Sequence, residues 1–267
     1  MESLADHELT VEMIRARGAW SAPDLGHGFF GRTGGVSREQ FATLNLSSYV
    51  GDLPDAVASN WSRARRAMPP YRRLALFNQV HGSEVHIIGT DYDGARLVGD
   101  GMVTGTSGLA LGIFTADCVP LLMVDAEQRI VGAFHAGWRG TLAGIARVGI
   151  SRMVEAGARL DRLNAALGPS IGPCCYEVDT ELGARFAASL PFARSRINPG
   201  RPGKAMIDLR GILTDQLAEY GVDPASITVV GPCTRCESQR FFSRREAGGQ
   251  VCGLQLSFVG FADGPPR

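Results

Sequence analysis

The sequence predicts an α/β (α+β) fold, a layered sandwich in which a mixed, largely buried β-sheet is flanked by helices. Three observations carry this expectation. Apolar or alternating segments of strand length recur along the chain, bounded by Gly, Pro or Asp. Segments with apolar residues at helical spacing are interleaved with them. Two nearly continuous apolar runs, LALGIF and PLLMVD, flank Thr115-Ala116-Asp117-Cys118, the second opening on Pro120; this predicts neighbouring strands that meet at a bend.

In chain order, the first element is a helix near Leu53–Ala67, followed by short strands near Leu74–Phe77 and Glu84–Ile88. Three apolar strands come next, near Leu109–Phe114, Val119–Val124 and Ile130–Phe134, and the last runs straight into a helical pattern at Thr141–Glu155. Beyond it lie a strand at Asn164–Leu167, helices near Glu181–Ala188 and Leu209–Tyr220, and a strand at Ile227–Val230. No internal repeat, charge block, low-complexity tract or long Pro/Gly/Ser linker divides the chain, so residues 1–267 are expected to form one domain.

Composition narrows the function classes. With 45% hydrophobic and 20% charged residues, the 267-residue chain is an ordinary globular sequence with enough apolar side chains for a sizeable core. Lys+Arg 27 against Asp+Glu 27 leaves no net charge, so no global field points to nucleic acid or to an anionic membrane, and any anion must be held locally. The opening MESLADHELTVEMIRARGAW lacks a basic start followed by an apolar core, and no run of 18 apolar residues occurs. A cytoplasmic protein is expected. Six cysteines are too few for a disulfide scaffold in a chain of this length and read as thiols, one or two of them reactive or metal-bound.

Histidine is scarce, at positions 7, 27, 81, 86 and 135. His81 follows an apolar strand in FNQVHG, Cys118 stands at a strand end in IFTADCVP, and His135 stands at another in GAFHAGWRG. Two imidazoles and a thiolate suit zinc or copper, and three protein ligands that leave a fourth position open mark a catalytic rather than a structural zinc. The bland alternative makes each histidine a hydrogen-bonded spacer and the cysteine a small hydrophobe. His27 and His86 are read that way. Cys233-Thr-Arg-Cys236 reads as a redox couple, half of a zinc site or two packed thiols. Cys174-Cys175 is not expected to complete it, because adjacent side chains on an extended chain point to opposite faces.

FGRTGGVS, FATLNLS, FNQVHG, TADCVPLLM, HAGWRGTLAG, LGPSIGPCCYEV, CTRC and FFSRREAGG together resemble, in order, the YfiH-like or laccase-domain family of purine nucleoside phosphorylases, from about Gly28 to Gly249. The resemblance implies a fold like that of YfiH and the cytotoxic-necrotizing-factor toxins, and a His-Cys-His zinc site on His81, Cys118 and His135. It further implies phosphorolysis of adenosine, inosine, guanosine and S-methyl-5′-thioadenosine, with adenosine deamination beside it. Older usage calls the family multicopper polyphenol oxidases, which makes Cu2+ the alternative to Zn2+, and one branch is described as a peptidoglycan editing factor. Five histidines are a small supply for several copper centres.

Phosphorolysis needs an anion site. Arg32 matches the family's early arginine, and its planar fork suits phosphate. Arg139 follows Gly137-Trp138 at an expected helix start, where free backbone N–H groups favour an anion. Arg244 and Arg245 could complete the pocket or form a solvated pair. Trp138 reads equally as a wall for a base or as a hydrophobic plug. Asp117, opposite in direction to Cys118 on an extended chain, is read as orienting a histidine or a turn, and Asp100 as reaching the pocket or forming a turn. A metal-free reading pairs Cys118 as nucleophile with His135 as base, and a non-enzymatic one makes the chain a metabolite-binding module.

Overall fold

A computed structural model describes residues 10–263. His7 lies outside the described residues. The described residues open with strands β1 (Met13–Ile14) and β2 (Leu25–Phe30), helix α1 (Pro54–Ala67), and strands β3 (Arg73–Ala75), β4 (Val85–Ile87) and β5 (Gly101–Thr104). Three long strands follow, β6 (Leu109–Thr115), β7 (Val119–Asp125) and β8 (Ile130–Ala136), then α2 (Trp138–Leu142), α3 (Ile145–Glu155) and β9 (Asn164–Leu167). The remainder comprises β10 (Glu177–Asp179), α4 (Thr180–Ser189), β11 (Ile197–Pro199), β12 (Lys204–Ile207), α5 (Leu209–Glu219), β13 (Ile227–Val229) and β14 (Gln255–Phe261).

The strands form a five-stranded sheet in the order β1-β2-β14-β6-β3, a six-stranded sheet in the order β13-β9-β7-β8-β5-β4, and a small sheet β10-β12-β11. Both large sheets are mixed: β3 runs parallel to β6, β4 to β5 and β13 to β9, and the remaining pairs are antiparallel. Side chains alternate across a strand, and here both sides are apolar. Leu122 and Val124 of β7, with Val131 and Ala133 of β8, pack against Phe29, Leu111, Ile113 and Val259 of the other large sheet. Val119, Leu121 and Met123 point the other way, onto Ile145, Ile150 and Met153 of α3 and Ile212, Leu213 and Leu217 of α5. On the outer side of the five-stranded sheet, Phe30, Phe114 and Phe258 pack with Leu44, Leu46 and Ala64 of α1. The result is helix, sheet, sheet, helix. A strand covered on both faces has no polar period to show, and β6, β7 and β8 are accordingly continuous apolar runs.

The expected sandwich of helices on a mixed, buried sheet is therefore present, divided between two packed sheets. The expected helix Thr141–Glu155 differs from the structure. Gly144 adopts φ +83°, a left-handed conformation that closes α2 after one turn and restarts the chain as α3.

Candidate active site

The chain crosses from one large sheet to the other between Thr115 and Val119, and Cys118 lies at that crossing. Asp117 makes the corner with φ 87°. Its carboxylate accepts the Thr234 hydroxyl at 2.6 Å and the Arg245 backbone N–H at 2.6 Å. Asp117 thus ties the backbone corner before Cys118 to Thr234 and Arg245.

His135, near the end of β8, lies opposite Pro120 of β7 and projects between the sheets. Its Nδ1 meets Asp100 Oδ1 at 2.7 Å, with both side chains buried. A carboxylate can only accept here, so the proton sits on Nδ1 and Nε2 is left to face the cavity. The same Asp100 carboxylate accepts three consecutive backbone N–H groups, from Val80 at 3.2 Å, His81 at 2.9 Å and Gly82 at 2.6 Å. These bonds hold His81 in a left-handed conformation, φ 62°, with its ring 4.7 Å from that of His135 and nearly perpendicular to it. Asp100 therefore shapes the turn at His81 and touches His135 from behind, without lining the cavity itself.

The ligand atoms of His81, Cys118 and His135 lie within 4.8 Å of one another. A tetrahedral zinc with bonds of about 2.0–2.3 Å requires donor separations of about 3.3–3.8 Å, a slight contraction of this set. Gly137 leaves the room: a Cβ there would stand 3.1 Å from Cys118 Sγ and 3.3 Å from the His81 ring. Gly140 lets α2 close onto the His81 loop, since a Cβ there would stand 2.6 Å from the Gly82 carbonyl oxygen. The HAGWRG motif is thus a strand-end donor followed by two close approaches of backbone.

Electrostatics prepare the thiol. Burial alone would raise the Cys118 pKa, but the charge of His135 and hydrogen bonds from His135 and His81 outweigh it and bring the thiol to about 6. Burial would likewise lower His135, whereas the Cys118 thiolate and the Asp100 carboxylate raise it to about 9. Without metal the two form a thiolate–imidazolium pair.

The three donors open into a cavity of about 550 Å³, with Phe77, Asn78, Phe114, Thr115, Tyr49 and Arg244 among its walls. The Thr115 hydroxyl is buried and has no hydrogen-bond partner among the described residues. Buried Asn60 ties α1 to the segment before it, accepting the Val36 N–H and donating to the Ser37 hydroxyl and the carbonyls of Thr43 and Asn45.

Several expected binding residues are placed elsewhere. Arg32 donates Nε to the Ala42 carbonyl at 2.6 Å and Nη1 to the Ser238 carbonyl at 2.8 Å, and its guanidinium stacks on Phe242. Its fork serves the backbone and does not line the cavity. Arg245 donates to the Glu177 carbonyl at 2.7 Å and lies over Tyr176. Arg139 lies over Trp138, with Arg185 on the same ring, and Trp138 packs against the helix-side core as a plug. The five-residue α2 offers no anion site there. The cavity's arginine is Arg244. Its neighbours Arg235 and Arg240 pair with Glu246, Glu12 and Glu237, whereas Arg244 makes no ion pair among the described residues. Phe77, Asn78, Phe114 and Tyr49 were not singled out from the sequence. Phe77 and Phe114 sit in or beside apolar strands and look like any core residue, and only the gap between the sheets turns them into walls.

Of the other described histidines, His27 and His86 each bond to the backbone. His27 is buried, bonds the Ala16 backbone and packs on Trp20, and burial lowers its pKa to about 4; His86 bonds the Val98 carbonyl. The cysteine expectation is overturned. Cys174, Cys175, Cys233 and Cys236 converge with their sulfurs within 4.8 Å, because residues 172–176 form a tight turn in place of an extended segment. Among the described residues no helix is long and apolar enough to cross a membrane.

A family model described as multi-copper polyphenol oxidoreductase laccase matches residues 26–262. A Mycobacterium tuberculosis protein named purine nucleoside phosphorylase is 40% identical over 217 residues, 81% of this chain and 85% of that one. A protein of an unknown prokaryotic organism named adenosine deaminase is 38% identical over 224 residues, 79% and 84% of the two chains. Among solved structures, Bacillus licheniformis YfiH superposes with TM-score 0.84 at 29% identity, covering 94% of this chain and 96% of its own. Geobacillus stearothermophilus YlmD does so with TM-score 0.83 at 32% identity, covering 96% and 100%. With the motifs, the fold and a family match over most of its length, this chain belongs to the multi-copper polyphenol oxidoreductase laccase family, the YfiH-like proteins.

Proposed function

We propose that this chain is a zinc-dependent purine nucleoside phosphorylase formed by one domain over residues 1–267. It cleaves adenosine, inosine, guanosine and S-methyl-5′-thioadenosine with phosphate, giving the free base and ribose 1-phosphate or its methylthio counterpart, and deaminates adenosine as a side reaction. One observation carries the reading: the His81, Cys118, His135 donor set opens into a cavity of about 550 Å³ whose wall holds Arg244, without an ion-pair partner among the described residues. The relatives' names support the reaction class. A reducing cytoplasm suits six free thiols.

The chain's own residues divide the work as follows. Asp100 holds the proton of His135 at Nδ1, which leaves Nε2 to serve as the ligand atom, and it sets the backbone of His81. Bound zinc would supply Lewis acidity toward the substrate and toward the water that deamination consumes. Phe77 and Phe114 offer apolar faces to the purine, the Asn78 amide a partner for its edge, and the Thr115 hydroxyl a partner for the ribose. Arg244 grips phosphate as its oxygen joins C1′ and the base departs. The decisive assay incubates purified protein of known zinc content with adenosine, with and without phosphate. Adenine formed only with phosphate, and lost with the zinc, is expected; full activity without metal would overturn the reading.

Two further readings have a specific support. The thiolate–imidazolium pair of Cys118 and His135 is the resting state of a Cys-His hydrolase, as a peptidoglycan editing activity would need. The two-histidine, one-cysteine set also suits a lone copper, and the family description supports a polyphenol oxidase.

A further inference from the structure

Outside the cavity lies a second convergence of soft ligands. β9 and β13 are parallel neighbours, and the loops leaving their ends lie side by side. Ser170 and Cys233 form a parallel bridge, Thr234 donates its N–H to the Ser170 carbonyl at 3.0 Å, and Gly172 donates its N–H to Cys233 Sγ at 3.2 Å. The first loop turns tightly: the N–H groups of Cys175 and Tyr176 both return to the Gly172 carbonyl. In such a turn successive side chains diverge by about 100° rather than 180°, so Cys174 and Cys175 reach the same point. The second loop supplies Cys233 and Cys236 from a CxxC turn closed by Glu237 N–H to the Cys233 carbonyl at 3.1 Å.

From this arrangement the geometry points to a second, structural zinc site, a tetrathiolate of Cys174, Cys175, Cys233 and Cys236. All four sulfurs lie within 4.8 Å, and Cys236 Sγ stands 3.5 Å from both Cys174 Sγ and Cys175 Sγ. A tetrahedral zinc with Zn–S bonds of about 2.3 Å needs sulfurs about 3.8 Å apart, so the set surrounds a centre of the right size. Four cysteines with no histidine or carboxylate select a soft, thiolate-binding ion, and a site with all four positions filled by protein is structural. The surroundings suit it. The Gly172 N–H to Cys233 is the kind of bond that stabilises metal-bound sulfur, and Gly172 has no side chain where a Cβ would stand 3.3 Å from Cys174 Sγ and 3.5 Å from the Arg210 guanidinium. Cys174 and Cys236 are exposed, which gives the ion an entry path. On binding, the four thiols release their protons to solvent and become ligands.

The position gives the site a task. Thr234, between Cys233 and Cys236, donates its hydroxyl to Asp117, the residue that turns the chain into Cys118. The Cys175 and Glu177 carbonyls accept from Arg245, whose backbone N–H also bonds Asp117. The tetrathiolate therefore clamps the two loops that hold the Cys118 corner from behind.

The test counts zinc by elemental analysis in the full chain, in Cys236→Ser, in His135→Ala and in the double variant, all purified without added metal. Cys236→Ser is expected to carry one zinc fewer per chain than its parent whether or not His135 is intact, and to melt at a lower temperature. The result is independent of the cavity's own metal, whose loss His135→Ala reports. If Cys236→Ser does not fold, His135→Ala reconstituted with cobalt(II) should show the intense sulfur-to-cobalt charge-transfer absorption of a tetrahedral thiolate centre. Unchanged zinc in Cys236→Ser, stoichiometric iron, a Cys174–Cys236 disulfide in the non-reduced protein, or cobalt without the charge-transfer band would each overturn the assignment.

Discussion

A single carboxylate governs the site at the scale of residues. Asp100 accepts the His135 Nδ1 proton and three backbone N–H groups around His81, so removing its charge should loosen both imidazoles at once. Asp100→Asn is expected to weaken metal binding about 10–100-fold, read by competition with a chelator, while the melting temperature falls less than for a core truncation. Arg244 and Arg32 separate cleanly by contact. Arg244→Ala should reduce phosphate-dependent cleavage roughly 100-fold, the scale of one well-placed charged donor, with partial recovery in Arg244→Lys. Arg32→Ala should lower the melting temperature instead, because its donors hold the Ala42 and Ser238 carbonyls. Titration gives a third expectation. In metal-free protein the thiolate of Cys118, depressed to about 6, stabilises the fold above the thiol's ordinary 9.0, and that contribution is lost as pH falls through 6. The imidazolium of His135, raised to about 9, stabilises fully below 6.5 and is lost as pH rises through 9. The pair therefore persists between about pH 6 and 9, and alkylation of Cys118, taken as wild type minus Cys118→Ser, should show a midpoint near 6. A midpoint near 9 would mean that His135 does not charge beside it.

The elements explain which parts of the fold could be read in advance. β6, β7 and β8 were legible because burial on both faces leaves uninterrupted apolar runs. β2 and β14 were not, since Gly26 and Gly28, and the polar Gln255 and Ser257, break the hydrophobic pattern, and their pairing is decided by partners far away in the chain. The helix through Gly144 looked continuous because periodicity is blind to one left-handed residue. His81, Cys118 and His135 stand out in the sequence by their strand-end settings and the family motifs, and their ligand atoms converge, whereas Arg32, Arg139 and Arg245 turn to carbonyls and rings away from the cavity. The direction a long side chain takes depends on which carbonyl or ring lies nearest. Element packing carries its own expectation. Gly140→Ala forces a Cβ to 2.6 Å from the Gly82 carbonyl oxygen, so α2 must withdraw from the His81 loop. Metal loss should then exceed the loss of stability. Phe134→Ala, which empties the contact of β8 with α3, should cost about 3–5 kcal/mol by chemical denaturation and leave the metal ligands in place.

For the whole molecule, the sandwich acts as a frame around a gap. Leu122, Val124, Val131 and Ala133 pack between the two large sheets, and a cavity opens beside the place where the chain crosses from one sheet to the other at Cys118. The donors thus lie where a buried face meets a cavity, and the Asp100 carboxylate that holds them is matched by His135 and three backbone N–H groups. The proposed function requires that this donor set hold a zinc on which nucleoside phosphorolysis depends. It is tested most directly by zinc content measured beside phosphate-dependent cleavage of adenosine in Cys118→Ala, His135→Ala and the parent. Each variant is expected to fold, to lose one zinc relative to the parent, and to lose adenine formation with it. A Cys118→Ala protein that forms adenine at the parent's rate, or that keeps its full zinc while activity disappears, would contradict it.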